Sequence, residues 1–261
     1  MRGCDRVRRF YQESWQGIPF TKISHLSFFH LAGSKFYSTF YEEMFARYSS
    51  WEALPLEWRE NKRCSAEWLL ERIRQHRAEL GAKDGEPYRV LSIGCGVGYM
   101  EKLLLDALPE IELYVNEPST VGLKWLRSYL PADHVYIGDP LTIPGDVYYH
   151  MIYLSAVDYA ISTRHLVRLL ENLRAQLESS GTVLCLSSSF LQEDSIIGSF
   201  VNAMKIFIRG ILHYLSVRPQ QFWGWRRTRK DYNQLFKQAG FFSLSDGFIE
   251  KAPETYWISG K

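Results

Sequence analysis

The sequence has little of several features that mark particular classes of protein. Its cysteines form no CxxC motif and no pairing with histidine, so we expect reduced thiols and neither disulfides nor a metal site. The four are Cys4, Cys64, Cys95 and Cys185. With 31 basic and 29 acidic residues, the chain lacks the charge excess of a nucleic-acid-binding protein. No apolar core of a signal peptide follows the basic N-terminus, and we predict a cytoplasmic protein.

Long apolar runs are also scarce, and residues 196–215 are the stretch that comes nearest to a membrane span. Polar residues recur in it three or four positions apart, including Ser199, Asn202, Arg209 and His213. Because basic residues inside a spanning helix are energetically expensive, we predict an amphipathic helix without stable membrane insertion. Packing over the sheet is its expected role. A substrate cover or peripheral contact with a membrane surface remains an alternative.

What the chain does contain is a regular alternation of strands and helices from about residue 88. Apolar runs predict strands at 88–93, 111–115, 135–137, 147–154 and 182–186. Helical spacing separates them, most clearly in the leucine stripe 166–177, which Gly181 should end. The alternation predicts an α/β fold with a parallel sheet covered by helices on both faces.

The two ends of the chain differ from this pattern. Thr228 and Asp231 predict a capping box for a further helix. Beyond that helix, apolar runs at 241–249 and 256–259 predict a hairpin that closes the sheet. Residues 1–85 lack a strand signal and predict helices, one of them beginning at Ser65. We therefore expect a helical N-terminal extension or lid over 1–85, a main domain over 86–261 and a helical insertion at about 190–225.

Closely spaced glycines follow the first predicted strand. Gly94, Gly96 and Gly98 form GxGxG, which lets the backbone turn sharply and lets a ligand approach it closely. Glu117 ends the second strand, where a carboxylate can accept hydrogen bonds from both hydroxyls of a ribose. Asp139 follows the third strand, where it can reach the exocyclic amine of an adenine. Together these residues predict a nucleoside pocket.

These stretches resemble successive motifs of the class I S-adenosylmethionine-dependent methyltransferases, over about residues 65–261. The motifs are VLSIGCGVGYME, VNEPS, YIGDP, IYLSAVDY and LRAQLESSGTVLCLS. The resemblance implies a Rossmann-like, doubly wound sheet of seven mostly parallel strands with a terminal antiparallel hairpin. It also implies S-adenosyl-L-methionine as the cofactor. The cofactor-binding residues would be Ser92, Gly94, Cys95, Gly96, Gly98, Glu117, Pro118, Asp139, Pro140, Leu154 and Ser155.

Ser92 departs from the pattern of this family. The family usually has an acidic residue at this position, which helps to hold the amino group of the cofactor. Serine supplies no charge, so the affinity for the cofactor would be reduced, or an aromatic N-terminal lid would compensate. Tyr37 and Tyr41 are the candidates for such a lid and for substrate binding, with helix packing as the alternative for both.

The implied reaction is an in-line transfer of a methyl group, in which positioning can supply about 7–11 kcal/mol of the barrier. Asp158 and Tyr159 follow the fourth strand, and we predict catalytic roles for both, with Asp158 as base or substrate anchor. The signatures of amino-methylating DNA enzymes, cytosine C5 enzymes and protein arginine enzymes are missing. The prediction is therefore O-methylation of a secondary metabolite, a sizeable and partly apolar small molecule.

Other functions stay open at this point. The basic stripe of the insertion suggests a lipid-linked or glycan acceptor. Ser92 suggests a non-catalytic partner protein that keeps the fold for assembly. A nicotinamide-dependent oxidoreductase shares the general fold, but Tyr99 stands where the dinucleotide fingerprint has its last glycine.

Overall fold

The structure is a computed structural model and describes residues 8–12, 14–15, 18–19, 34–81, 86–192, 201, 204–205, 207–208, 211–212, 215 and 222–261. The N-terminal elements are β1 (Arg8–Gln12), β2 (Ser14–Trp15), β3 (Ile18–Pro19), α1 (Ser34–Arg47) and α2 (Leu56–Glu79). The central elements are β4 (Tyr88–Ile93), α3 (Tyr99–Ala107), β5 (Ile111–Glu117), α4 (Leu123–Leu126), β6 (Val135–Ile137), β7 (Tyr149–Ser155), α5 (Thr163–Ala175) and β8 (Leu177–Ser187). The C-terminal elements are β9 (Phe222–Arg226), α6 (Arg229–Gln238), β10 (Leu244–Ile249) and β11 (Ala252–Gly260).

The main sheet has seven strands in the order β10-β11-β8-β7-β4-β5-β6. The strands from β8 to β6 are parallel, whereas β11 runs antiparallel to β8 and pairs with β10 as a hairpin. The chain order reverses between β4 and β7, where an open α/β sheet leaves a crevice at its carboxyl edge. The predicted seven-stranded, mostly parallel sheet with a terminal hairpin is confirmed.

Helices cover both faces of this sheet because alternate residues of each strand are apolar and buried. Val90 faces a core that contains Leu69 of α2 and Leu104 of α3. Leu91, the next residue, faces the opposite core with Leu169 of α5. Phe236 of α6 is in that second core. Each such side chain stabilises the fold by about 1.5–3 kcal/mol, so the two layers hold the sheet between them.

Of the two predicted helix boundaries at α5 and α6, one is confirmed and the other is wrong. The capping box of α6 is present, with the backbone N–H of Thr228 donating to Asp231 Oδ2 at 2.8 Å. The prediction that Gly181 ends α5 is wrong, because α5 ends at Ala175 and Gly181 lies inside β8. A Cβ at Gly181 would come within 2.8 Å of the carbonyl oxygen of Tyr149, so close strand packing explains this glycine.

The N-terminal region differs from its prediction in two ways. It contains short strands that the sequence did not signal: β1 pairs with β9, and β2 pairs with β3. The partner of β1 lies more than two hundred residues away, so pairing rather than local pattern decides its structure. In addition, α2 begins at Leu56, ahead of the predicted Ser65, and Ile73 of this helix packs in the sheet core.

The predicted helical insertion lies largely outside the described residues. Of its described residues, 201, 204–205, 207–208 and 211–212 are helical, whereas 222–225 belong to β9. The prediction that the helical insertion reaches about residue 225 is therefore wrong at its end, where pairing with β1 makes the chain a strand. No helix within the described ranges is long and apolar enough to cross a membrane. The division at residue 85 stays a prediction, although α2 shares the core of the sheet.

Candidate functional site

Three parallel strands end together at one edge of the sheet. In the register, Ile93 of β4 pairs with Asn116 of β5 and with Leu154 of β7. The residues that follow these positions therefore meet at the same edge. Both Gly94 and Cys95 donate their backbone N–H to the carbonyl of Asn116, at 2.8 and 3.1 Å. The glycine loop is thus fixed directly beside the end of β5.

A cavity of about 90 Å³ lies at this edge, between the strand ends and the two helices α1 and α2. Its sheet side is formed by the glycine loop, the end of β5 and the turn after β7. Its other side is mostly aromatic. Its lining includes Tyr37, Tyr41, Trp58, Lys62, Gly94, Cys95, Gly96, Glu117, Pro118, Ser155 and Tyr159.

The Glu117 carboxylate is held in this cavity by the backbone around it. Its Oε2 accepts from the N–H of Gly96 at 2.8 Å, and its Oε1 accepts from the N–H of Ser119 at 3.0 Å. The residue is only 3% exposed, and burial raises the pKa of this carboxyl to about 7, against the effect of the two backbone donors. Each oxygen keeps a second lone pair for a ligand donor.

Two tyrosines of α1 lie on the cavity side of the glycine loop. A Cβ at Gly96 would come within 2.6 Å of the Tyr41 hydroxyl, and φ of Gly96 is +62°. Tyr37 is hydrogen-bonded to Tyr159. Burial raises the pKa of Tyr37 and Tyr159 above the ordinary value, so both hydroxyls remain protonated at neutral pH. The two predicted substrate-binding residues therefore line the cavity beside the glycine loop.

Ser92 does not line this cavity but contacts a carboxylate that the sequence interpretation missed. Its hydroxyl donates to Glu101 Oε1 at 2.7 Å, and the hydroxyl of Tyr153 donates to the same oxygen at 2.8 Å. Glu101 is 2% exposed and lies on α3. Its spacing to Leu104 and Leu108 places it on the apolar face of the helix. An acidic residue on an apolar helix face is the feature of the sequence that could have identified Glu101 as a buried site residue.

The two predicted catalytic residues are placed differently. Tyr159 lines the cavity, whereas Asp158 is fully buried and does not line it. Ser187 donates to Asp158 Oδ2 at 2.9 Å, Tyr232 also donates to this oxygen, and Arg227 Nη1 lies 4.0 Å away. Burial raises the pKa of Asp158, and the Arg227 charge acts against that rise. The geometry favours a structural role for the Asp158 side chain.

The remaining predicted cofactor residues divide in the same way. Cys95, Pro118 and Ser155 line the cavity. Asp139 is exposed, and its Oδ1 accepts from the N–H of Leu141 at 2.9 Å, so it caps the turn that follows β6. The residues that do not line the cavity are Gly98, Asp139, Pro140 and Leu154. Within the described ranges, no group of three histidine, cysteine or acidic side chains could hold a metal ion.

The sheet order and the loop–carboxylate pair at its edge define a Rossmann-like nucleoside-binding fold. The family described as "Methyltransferase domain" matches residues 65–245. The chain therefore belongs to this methyltransferase family, and the resemblance to class I S-adenosylmethionine-dependent methyltransferases is confirmed. Family membership also supports S-adenosyl-L-methionine as the cofactor. A search of curated proteins with the sequence finds no match.

Solved structures with the same fold are distant in sequence. A protein of Nostoc punctiforme described as a candidate O-methyltransferase has 15% identity and a TM-score of 0.55, covering 75% of this chain and 55% of its own. DesVI of Streptomyces venezuelae has 13% identity and a TM-score of 0.53, covering 77% and 92%. The mitomycin 7-O-methyltransferase MmcR has 16% identity and a TM-score of 0.50, covering 72% and 53%. This chain spans about half the length of the Nostoc protein, and at these identities the likeness shows the fold alone.

Proposed function

We propose that this protein transfers a methyl group from S-adenosylmethionine to a small, partly apolar acceptor, by O-methylation of a secondary metabolite. The observation that carries the proposal is the two-sided cavity. One side has the backbone loop and the Glu117 carboxylate, which suit a nucleoside. The other side is aromatic and suits an apolar acceptor. The cytoplasmic location of the protein remains a prediction.

The residues present fit the cofactor chemically. Gly94 and Gly96 have no side chain to block the approach of a ligand, and Glu117 presents buried oxygens to the same space. A cavity of about 90 Å³ is small for the whole cofactor, so we expect the tyrosines of α1 to shift away from the loop on binding. When bound, the cofactor supplies a sulfonium that makes its methyl carbon electrophilic.

The chain's own contribution is positioning and exclusion of water. Glu117 would accept the ribose hydroxyls, and the protonated hydroxyls of Tyr37 and Tyr159 would orient the acceptor oxygen. The acceptor hydroxyl would lose its proton to water as its oxygen takes the methyl group, because neither tyrosine can accept it at neutral pH. Asp158 would act indirectly, through Tyr159. Arg227 Nη1 donates to the backbone oxygen of Asp158 at 2.6 Å and thereby fixes the turn that carries Tyr159. Asp158 and Arg227 are then positioning residues in the proposed mechanism.

Calorimetric titration with S-adenosylmethionine, S-adenosylhomocysteine and NAD tests the binding step. We expect saturable binding of the two adenosyl compounds and none of NAD. Incubation with isotopically labelled S-adenosylmethionine and a panel of hydroxylated aromatic compounds then tests transfer, with mass spectrometry of the products. Binding without transfer to any acceptor would instead support the non-catalytic partner protein.

A lipid-linked acceptor is the second candidate, because the helical residues after position 200 expose apolar side chains. Their spacing of three or four places most of them on one face, and Lys205 supplies a positive charge. The exposed residues are Val201, Met204, Phe207, Ile208, Ile211 and Leu215. Co-sedimentation with anionic vesicles tests this candidate, with neutral vesicles as the control. Absence of binding to both would remove it.

A further inference from the structure

A second, smaller cavity of about 20 Å³ adjoins the main one on the side of α3. The two share part of their lining, so they lie side by side at the sheet edge. The shared residues are Trp58, Lys62, Gly94, Cys95 and Ser155. Beyond them the smaller cavity is lined by Tyr99, Met100 and Glu101. Its volume suits a single small polar group and not a ring.

The Glu101 carboxylate gives this cavity one charged wall. Both neighbouring hydroxyls, those of Ser92 and Tyr153, donate to Oε1, which leaves lone pairs on the carboxylate for a further donor. Burial raises the pKa of Glu101, while the hydroxyl donors and the charge of Lys62 act against that rise. A buried carboxylate of this kind favours a cationic partner.

Lys62 of α2 gives the same space a second, opposite charge. Its Nζ lies 3.4 Å from Ser155 Oγ, at the end of β7. Burial lowers the pKa of Lys62, and the negative charge of Glu101 acts against that effect. The smaller cavity therefore has an acidic group from α3 and a basic group from α2, beside the glycine loop.

We propose that Glu101 and Lys62 bind the amino-acid end of the cofactor, with the ammonium on Glu101 and the carboxylate on Lys62. The proposal rests on the proposed function, since it concerns the same ligand. An α-amino acid carries these two charges on one carbon, and a pair of opposite side-chain charges around one small cavity matches them. The main cavity beside Glu117 then holds the nucleoside.

This assignment also explains Ser92. Where related enzymes place a carboxylate at the end of the first strand, this chain has a hydroxyl that donates to a carboxylate from the next helix. The charge is kept while its point of attachment moves from β4 to α3. Ser92 is then a positioning residue for Glu101, and the departure from the family pattern does not remove the site.

Two ligands separate the amino-acid end from the nucleoside end. S-adenosylhomocysteine has both, whereas 5′-methylthioadenosine has the nucleoside and lacks the amino acid. In calorimetric titrations we expect Glu101→Gln to weaken S-adenosylhomocysteine binding about ten- to a hundredfold, the effect of one charged hydrogen bond. Lys62→Met should act in the same direction. Binding of 5′-methylthioadenosine should stay within about twofold in both variants.

The variants are chosen so that folding does not confuse the result. Glutamine keeps the volume of Glu101, and its carbonyl oxygen can still accept from Ser92 and Tyr153. Glu71→Gln, at an exposed position of α2, is the matched control and should change neither affinity. Unaltered melting temperatures and retained 5′-methylthioadenosine binding would confirm an intact pocket.

The other outcomes overturn the inference. Equal losses for both ligands in Glu101→Gln would make Glu101 a structural residue, and no loss for either would remove its role. If the unaltered protein bound S-adenosylhomocysteine and 5′-methylthioadenosine equally well, the amino-acid end would contribute nothing to binding. That result would reject the inference and leave the nucleoside pocket of the proposed function intact. Binding of neither ligand by the unaltered protein would reject the proposed function together with this inference.

Discussion

Two regions of the sheet edge contain buried carboxylates, and their surroundings differ. Beside β4 and β5, Glu117 and Glu101 border adjacent cavities and accept hydrogen bonds from backbone N–H groups or hydroxyls. Beside β7 and β8, Asp158 borders no cavity that we describe and has the guanidinium of Arg227 nearby. All three are at most 3% exposed.

The difference shows what separates a binding carboxylate from a structural one. Burial alone does not, because it raises the pKa of all three groups. The surroundings do: a carboxylate enclosed with a guanidinium of its own chain already has its charge balanced, whereas one that accepts from neutral donors beside open space can take its balancing partner from a ligand. Asp158 is the first kind, and Glu117 is the second. Glu101 is intermediate, because it borders a cavity and the charge of Lys62 also acts on it.

The largest expected effect is on stability, at Asp158. Asp158→Ala would leave Arg227 buried without its carboxylate, and breaking a buried pair in this way costs about 3–5 kcal/mol. We expect a loss of that size in urea unfolding. The fraction that remains folded should bind S-adenosylhomocysteine normally. Unchanged stability together with complete loss of methyl transfer would contradict the comparison and return Asp158 to a catalytic role.

A smaller effect is expected from the ionisation of Glu117, whose pKa is about 7. The ribose hydroxyls require the charged acceptor, so the affinity for S-adenosylhomocysteine should rise between pH 6 and 8. The change should be at most about tenfold for each pH unit below the pKa. Glu117→Gln should bind about ten- to a hundredfold more weakly at pH 8 and show no such rise.

The same group has the opposite effect on stability. Because folding raises its pKa above 4.5, Glu117 contributes stability that is fully present below pH 4.5 and is lost as the pH rises through about 7. Denaturant unfolding of Glu117→Gln across this range should show a flatter dependence on pH than the unaltered protein. An identical dependence in both proteins would mean that folding does not raise the pKa of Glu117.

The smallest effect is expected at the glycine loop. Gly96→Ala and Gly81→Ala share a φ near +60°, so each should lose about 1–2 kcal/mol of stability from the left-handed backbone. Only Gly96 has a neighbour in the way, the Tyr41 hydroxyl, whereas nothing lies within 4 Å at Gly81. Because Gly96 and Tyr41 both line the cavity, this contact shows that the added methyl group would project into the space for the ligand. Gly96→Ala should therefore also weaken S-adenosylhomocysteine binding, measured by titration. Equal affinity in the two variants would show that the loop tolerates a methyl group there.

The sheet could be predicted from the sequence because its signals are local. Residues 88–93 and 135–137 match β4 and β6, and Glu117 ends β5 as expected. The apolar alternation of each strand and the glycines after β4 determine both the element and its edge. No distant information was needed for these positions.

The rest of the site depends on contacts between distant segments. Asp139 has the right position in the sequence, but its carboxylate caps a local turn. Asp158 follows the right strand, yet Arg227 and Tyr232, some seventy residues later, determine its environment. Glu101, on helix α3, was missed because its partner Tyr153 lies on β7, some fifty residues later in the chain. Side-chain partners of this kind follow from tertiary packing, which local periodicity does not encode.

The pairing of β1 with β9 has a consequence for how the enzyme would open. These strands belong to the N-terminal region, whose helix α1 supplies the tyrosines of the cavity, and to the end of the predicted insertion. Their backbone hydrogen bonds couple the two parts mechanically, and β9 leads directly into Arg227, which is anchored on the turn that carries Tyr159. A displacement of the N-terminal strand would therefore also act on the turn that carries Tyr159, through β9 and Arg227.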